Sequence, residues 1–379
     1  MSRATPFVPA KHDAAPAVGT GSAVAAWLLD GPAQLREERH GGAVAGAINA
    51  RGSVAYVYPE ITGYYLQWLA WRARNVSDPD LYAERAASAQ RWLRVWLADD
   101  PPQTRVYLDG TVGDWRNNAV FCFDLAMVLR GLASAAQAQL LVPDATVVAG
   151  VVRQLEQLIG VEGAFDACAA NARGSGLPDR WSTRRGAFLA KAAAGIVTAA
   201  RVLPDVPESI ERAAIATFDA STSALLDHPH REVHPLLYAF EGVLAWPEHP
   251  RFDAVIKVVA AQFAALLGLA GKDGRLPESI DAASGATGPA RVDVIAQTLR
   301  VGCLLGAHRV QPPPDQLALA RLRHLLVRQL RPSGAVGFSL DSESADCNAW
   351  AAMFADQALA FAVPNPGAAM WQGTDPLLV

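Results

Sequence analysis

Six times along the chain the same phrase recurs: a glycine-rich polar loop, a short aromatic or charged signature, and a run of alanine and leucine at helical spacing. The signatures are Pro59-Glu60-Ile61-Thr62-Gly63-Tyr64-Tyr65, Gly113-Asp114-Trp115-Arg116-Asn117-Asn118, Leu177-Pro178-Asp179-Arg180-Trp181-Ser182-Thr183, His234-Pro235-Leu236-Leu237-Tyr238 with Glu241, Gly288-Pro289-Ala290-Arg291-Val292-Asp293, and Ser344-Ala345-Asp346-Cys347-Asn348-Ala349-Trp350. With Tyr64, Asn118, Gly186, His234, Asp293 and Asn348 as landmarks, the steps are 54, 68, 48, 59 and 55 residues. Each step accommodates two helices and two loops, so the chain reads as an array of helical hairpins.

A hydrophobic content of 51% over 379 residues supplies a large core. Length alone admits two domains at roughly 150 residues each. The repeat argues instead for one, over residues 20–363, flanked by an aperiodic tail at 1–19, read as disordered, and a second tail at 364–379. A formal net charge of −4 leaves no broad basic field, which disfavours nucleic acid as a partner. Cys122, Cys168, Cys303 and Cys347 form no CxxC pair and read as reduced, structural thiols. The apolar run Ala23 to Leu29 is too short for a membrane span, and no basic-then-apolar-then-cleavage order precedes it; a cytoplasmic location is expected.

Helical periods place a first helix at Ser22 to Asp30, stopped by Gly31-Pro32. Paired helices follow at Thr62 to Arg74 with Asp80 to Leu97, Ala119 to Gln139 with Asp144 to Ile159, Gly186 to Val202 with Pro207 to Leu225, Leu236 to Trp246 with Arg251 to Leu269, and Val292 to His308 with Pro314 to Leu330. A last helix, Ala349 to Ala362, has no partner after it, and the first has none before it. Arranging the hairpins in a ring joins these two orphans into a sixth pair and removes the apolar ends that an open solenoid must cap. The predicted fold class is therefore all-α, a closed ring of six helical hairpins. Long loops lead into the signature-bearing helices and short turns leave them, so a binding site is expected on the long-loop side.

A closed ring with acidic and aromatic signatures at the starts of its inner helices resembles the six-hairpin glycosidase-like superfamily, the (α/α)6 toroid, over nearly the whole chain. That resemblance implies a carbohydrate-processing role, since the superfamily includes glycoside hydrolases, unsaturated glucuronyl hydrolases, polysaccharide lyases and sugar epimerases. Related toroids hold zinc through Cys and His; here no Cys-His dipeptide occurs and no His follows Cys347, so neither a metal nor a cofactor is expected. The N-acylglucosamine epimerases use two His at inner-helix positions. Here only His234 qualifies, because His308 and His324 fall at a helix end and within an outer helix.

Glycoside cleavage requires a proton donor and a second carboxylate. Asp114, beside Trp115 and Arg116, and Asp179, beside Arg180 and Trp181, are the leading pair, with Glu60 and Glu241 as substitutes. Asp114 and Glu60 are equally placed to cap the helices that follow them. His234, Tyr238 and Glu241 share a helical face and form a candidate proton-transfer cluster, with His228 and His230 on the loop before it. Tyr64, Trp115, Trp181, Tyr238 and Trp350 offer flat apolar surfaces suited to sugar rings. Asn118, Asp293 and Asn348 suit hydroxyl groups, whereas Arg116, Arg180 and Arg291 suit a carboxylate or phosphate and favour an acidic sugar. The reading is cleavage of a glycosidic bond, by hydrolysis or elimination, in an anionic oligosaccharide or polysaccharide. Its alternatives are a sugar epimerase and a non-catalytic toroid that binds glycan or a partner in polysaccharide assembly.

Overall fold

The computed structural model describes residues 20–363 apart from 38, 75, 112, 172–175, 228–231, 282–284 and 341–345. Both expected tails, together with His228 and His230, lie outside the described residues. Among the described residues twelve α-helices correspond to the twelve expected from the periods, several with shifted starts: α1 Thr20–Asp30, α2 Pro59–Ala73, α3 Asp80–Trp96, α4 Cys122–Gln137, α5 Ala145–Glu156, α6 Leu189–Ala200, α7 Glu208–Asp227, α8 Val233–Leu244, α9 Phe252–Gly268, α10 Val292–Ala307, α11 Gln316–Arg328 and α12 Ala349–Phe361. The even-numbered helices form an inner ring in which α2 packs on α4, α4 on α6, α6 on α8, α8 on α10, α10 on α12, and α12 back on α2. The remaining helices lie outside it, and α1 packs on α12 as the sixth pair. The fold is an all-α (α/α)6 toroid.

Burial follows position in the ring. Every residue of α8 is buried, as is α4 from Cys122 to Ala135, because an inner helix has neighbours on all sides. An outer helix buries one stripe, as α3 does with Tyr82, Arg85, Ala86, Ala89, Trp92, Leu93 and Trp96. Small residues allow the inner helices to touch: a Cβ on Gly63 of α2 would fall 2.4 Å from the Met127 carbonyl oxygen of α4, and one on Gly131 of α4 would fall 2.5 Å from the Gly63 carbonyl oxygen. Where α12 meets α2, the buried Asp356 accepts hydrogen bonds from Trp68 Nε1 at 2.8 Å and Arg72 Nε at 2.7 Å, and Arg72 also bridges its second oxygen.

Helix starts differ from the sequence reading at functionally important places. Proline fits a first turn, where its missing N–H has no intrahelical acceptor to serve, so α2 begins at Pro59 and α8 takes in His234-Pro235. Glu60 and His234 therefore sit inside helices rather than before them. The long loops also carry short strands that periodicity did not reveal. β1 Ala45–Ile48, β2 Val54–Val57 and β3 Val106–Tyr107 form one antiparallel sheet; β4 Ala119–Phe121 pairs with β5 Cys168–Ala170, and β6 Ser279–Asp281 with β7 Gly285–Thr287. Because 119–121 extend as β4, α4 starts three residues late and Asp124 falls in its first turn.

Candidate functional site

The starts of all six inner helices border one cavity of about 410 Å³. Glu60 comes from α2, Phe123 and Asp124 from α4, Phe188 from just before α6, His234 and Tyr238 from α8, Arg291 from just before α10, Asn348 from just before α12 and Trp350 from α12. The long loops complete the wall with Trp115, Arg116, Arg180 and Trp181, and the three-stranded sheet region adds Tyr56, Tyr58 and Arg105. Inner-helix N-termini carry partial positive charge into this space, and five of the six lack a side-chain cap; only α12 is capped, by Asn348 Oδ1 accepting from Ala351 N at 3.1 Å.

One wall is a carboxyl pair. Tyr58 Oη donates to both oxygens of Asp124, at 3.2 and 3.1 Å. Burial pushes Glu60 up to about 7, against the pull of Tyr58, Lys191, Arg105 and Arg116. Burial, and then the negative charge of Glu60, hold Asp124 well above the ordinary carboxylate range. Two such carboxyls facing one cavity cannot both ionise cheaply, so near neutral pH the pair keeps a proton available for transfer.

The opposite wall is built around His234. Its ring packs on Tyr238 with centroids 4.3 Å apart and edge-on to Trp181 at 6.1 Å. Nδ1 lies 2.7 Å from Gln297 Oε1 and 3.5 Å from Asp293 Oδ2. Burial, and then the nearby Arg291 cation, lower its pKa to about 4, so the imidazole is neutral at physiological pH. Asp293 is buried behind this wall, clamped by Arg291 at 3.1 and 2.5 Å and by Trp350 Nε1 at 3.4 Å. Against the upward push of burial, the Arg291 cation and the hydrogen bonds from Arg291 and Trp350 hold the Asp293 carboxyl below its ordinary value.

The leading carboxylates of the sequence reading do not meet in the cavity. Asp114 caps the short 3₁₀ turn Trp115–Asn118, with Oδ1 accepting from Arg116 N at 2.9 Å, while Oδ2 is held by Arg116 at 2.6 Å, Tyr107 Oη at 2.9 Å and Arg105 at 3.4 Å. Its side chain is 26% exposed and does not line the cavity, because these partners turn it into the loop. Asp179 pairs with Arg184 in solvent, its side chain 70% exposed. Glu241 lies in the ring's interior, 0% exposed and bound by Lys191 Nζ at 2.8 Å and by Arg300, which hold it below the ordinary carboxylate value. It shares the helix of His234 and Tyr238 but not their access to the cavity. Tyr64 is fully buried beneath, against Phe354, and Asn118 ends the 3₁₀ turn away from the lining.

Three contributors escaped the sequence reading. Asp124 sits in the apolar phrase Cys122-Phe123-Asp124-Leu125, and its signal was an acid in the first turn of an inner helix. Tyr58 joins β2 to α2 and Arg105 precedes β3, and Arg105 stacks on the Tyr56 ring at 4.3 Å. Among the described residues no group of His, Cys, Asp and Glu is arranged to hold a metal ion, and no helix is long and apolar enough to cross a membrane.

No protein-family model matches the sequence, and no curated protein matches it. Solved structures do match the fold. The chain is similar to the cellobiose 2-epimerase of Spirochaeta thermophila, with a TM-score of 0.62 at 16% identity, covering 90% of this chain and 96% of that one. It is similar to a D-mannose isomerase, at 0.65 and 13% identity over 93% and 99% of the two chains. An unsaturated glucuronyl hydrolase specific for heparin matches at 0.59 and 12% identity over 90% and 96%. In fold, the chain is one of the six-hairpin, (α/α)6 toroids.

Proposed function

We propose that the protein is a carbohydrate-active enzyme whose cavity cleaves a glycosidic bond of an acidic oligosaccharide. The observation that carries this reading is the Glu60–Asp124 pair with Tyr58 beside it. The pair shares one proton: carried by Glu60, whose pKa lies near 7, it goes to the leaving oxygen, and Asp124, ionised in that form, acts on water or on the sugar. Trp115, Trp181 and Trp350 supply ring-sized apolar faces. Arg180, exposed at the mouth and without an ion-pair partner among the described residues, is the anchor for the substrate's negative group; its guanidinium lies 5.9 Å from the Trp115 ring. Asp114 and Asp179 are assigned to loop architecture.

The test is a panel of aryl glucuronides, uronic-acid-ended disaccharides, cellobiose and mannose, followed by product analysis. Glu60→Gln and Asp124→Asn should each retain the native helical spectrum while lowering turnover roughly hundredfold or more. Full activity in both variants removes the carboxyl pair from the reaction. A second reading, sugar epimerisation or isomerisation, is favoured by the neutral His234 on the facing wall. It requires deuterium uptake from heavy water at the sugar carbon beside the carbonyl, with no fragment released. Fragment release without such exchange selects glycosidic cleavage.

A further inference from the structure

His234 is held from behind by a buried network centred on Glu241. Glu241 accepts from Lys191 Nζ at 2.8 Å on Oε2 and from Arg300 on Oε1, and Arg300 is steadied by Gln357 Oε1 at 2.8 Å. All four side chains are fully buried. Burial lowers Lys191 to about 7, yet the Arg300 cation, with Lys191, holds the Glu241 carboxyl below its ordinary value, so it is ionised and can only accept hydrogen bonds. Gln297 lies between Glu241 and His234, and its edge facing Glu241 Oε2 at 3.4 Å must be the donating Nε2. The other edge, Oε1, is thereby aimed at His234 Nδ1, 2.7 Å away, and an amide oxygen only accepts. The second neighbour of Nδ1, Asp293 Oδ2 at 3.5 Å, is also an acceptor, already engaged by Arg291 and Trp350. Nδ1 therefore meets acceptors alone.

We infer that Gln297 and Glu241 are positioning residues that lock His234 as the Nδ1–H tautomer, so that it meets a bound sugar only through an accepting Nε2. Nε2 makes no hydrogen bond to the described residues, and His234 lines the cavity. This specifies the ligand: the group opposite His234 is a donor, a sugar hydroxyl or a carbon-bound proton. A carboxylate there would face a lone pair, so the substrate's acidic group belongs on the Arg180 side. The inference rests on the cavity reading for its consequence, though not for the tautomer itself.

The decisive measurement is the long-range nitrogen–proton spectrum of the full-length protein labelled with ¹⁵N-histidine, with the His234 signal identified by its loss in His234→Gln. At pH 7 the wild type should show the neutral Nδ1–H pattern, and an Nε2–H pattern overturns the lock without any variant being made. Gln297→Met keeps the volume and removes the acceptor, so the Nε2–H tautomer should become populated. On whichever panel member turns over, kcat should fall about ten- to hundredfold with a smaller change in KM. An unaltered tautomer in a folded Gln297→Met protein also overturns the proposal. If the tautomer shifts while turnover is unchanged, the lock stands and the placement of His234 against the substrate fails instead.

Discussion

At the scale of single residues, the two walls of the cavity respond to pH with opposite sign. Glu60 holds its proton up to about 7 in the folded chain against an ordinary value of 4.5, so the folded state binds that proton more tightly. Its contribution favours folding below about 4.5 and turns against it as pH rises through about 7. Glu60→Gln should therefore raise the melting temperature at pH 8 and leave it little changed at pH 4. The same titration sets the catalytic profile: kcat/KM should decline above about pH 7 as the donor ionises, and a flat profile to pH 9 excludes Glu60 as the acid. His234 runs the other way. Its folded value of about 4 lies below the ordinary 6.5, so the unfolded chain takes up a proton first as pH falls. Stability of roughly 3 kcal/mol is lost between about pH 6.5 and 4, and His234→Gln should flatten that part of a stability–pH curve.

At the scale of elements, helix contact depends on what is missing from the side chains. Gly63→Ala places a methyl group 2.4 Å from a backbone oxygen of α4, which side-chain rotation cannot relieve. A loss of about 1–3 kcal/mol is expected from urea unfolding. Gly268→Ala, at the end of the outer helix α9, meets nothing within 4 Å and should be neutral or stabilising by about 0.5–1 kcal/mol. An equal cost at both positions contradicts the close crossing of α2 and α4. These element positions were legible in the sequence because helical period is a local property: Asp80, Val292 and Ala349 start their helices where the pattern puts them. The starts displaced to Pro59, Cys122 and Val233 involve prolines in a first turn or a strand pairing between 119–121 and 168–170, which no local pattern reports, and α6 begins at Leu189, three residues after the expected Gly186.

At the scale of the whole molecule, the ring is closed by residues 284 positions apart. Asp356→Ala leaves Arg72 and Trp68 without their buried acceptor at the α2–α12 seam. The expected cost is about 3–5 kcal/mol, read from the urea midpoint, and amide exchange should accelerate first in α1 and α12. Uniform acceleration around the ring would show that the seam is no weaker than any other contact.

Hydrophobic period and loop length were enough to determine twelve helices, their pairing and the meeting of α1 with α12, because each apolar stripe must be covered by a neighbour and the two orphans had only each other. The same signatures brought Glu60, Trp115, Trp181, His234, Arg291 and Trp350 to one mouth, since a signature at an inner-helix start has one place to go in a ring. Which carboxylates face inward was decided by tertiary structure alone. Asp114 was prominent because Trp115 and Arg116 stand beside it, yet Arg116, with Arg105 and Tyr107 brought in by β3, holds it in the loop. Asp124 was hidden in an apolar run and faces the cavity because β4 delays the start of α4 and the Tyr58 hydroxyl reaches its carboxyl from 66 residues away. A side chain's direction and its ion-pair partner are set by elements distant in sequence, and those contacts exist only once the ring has closed.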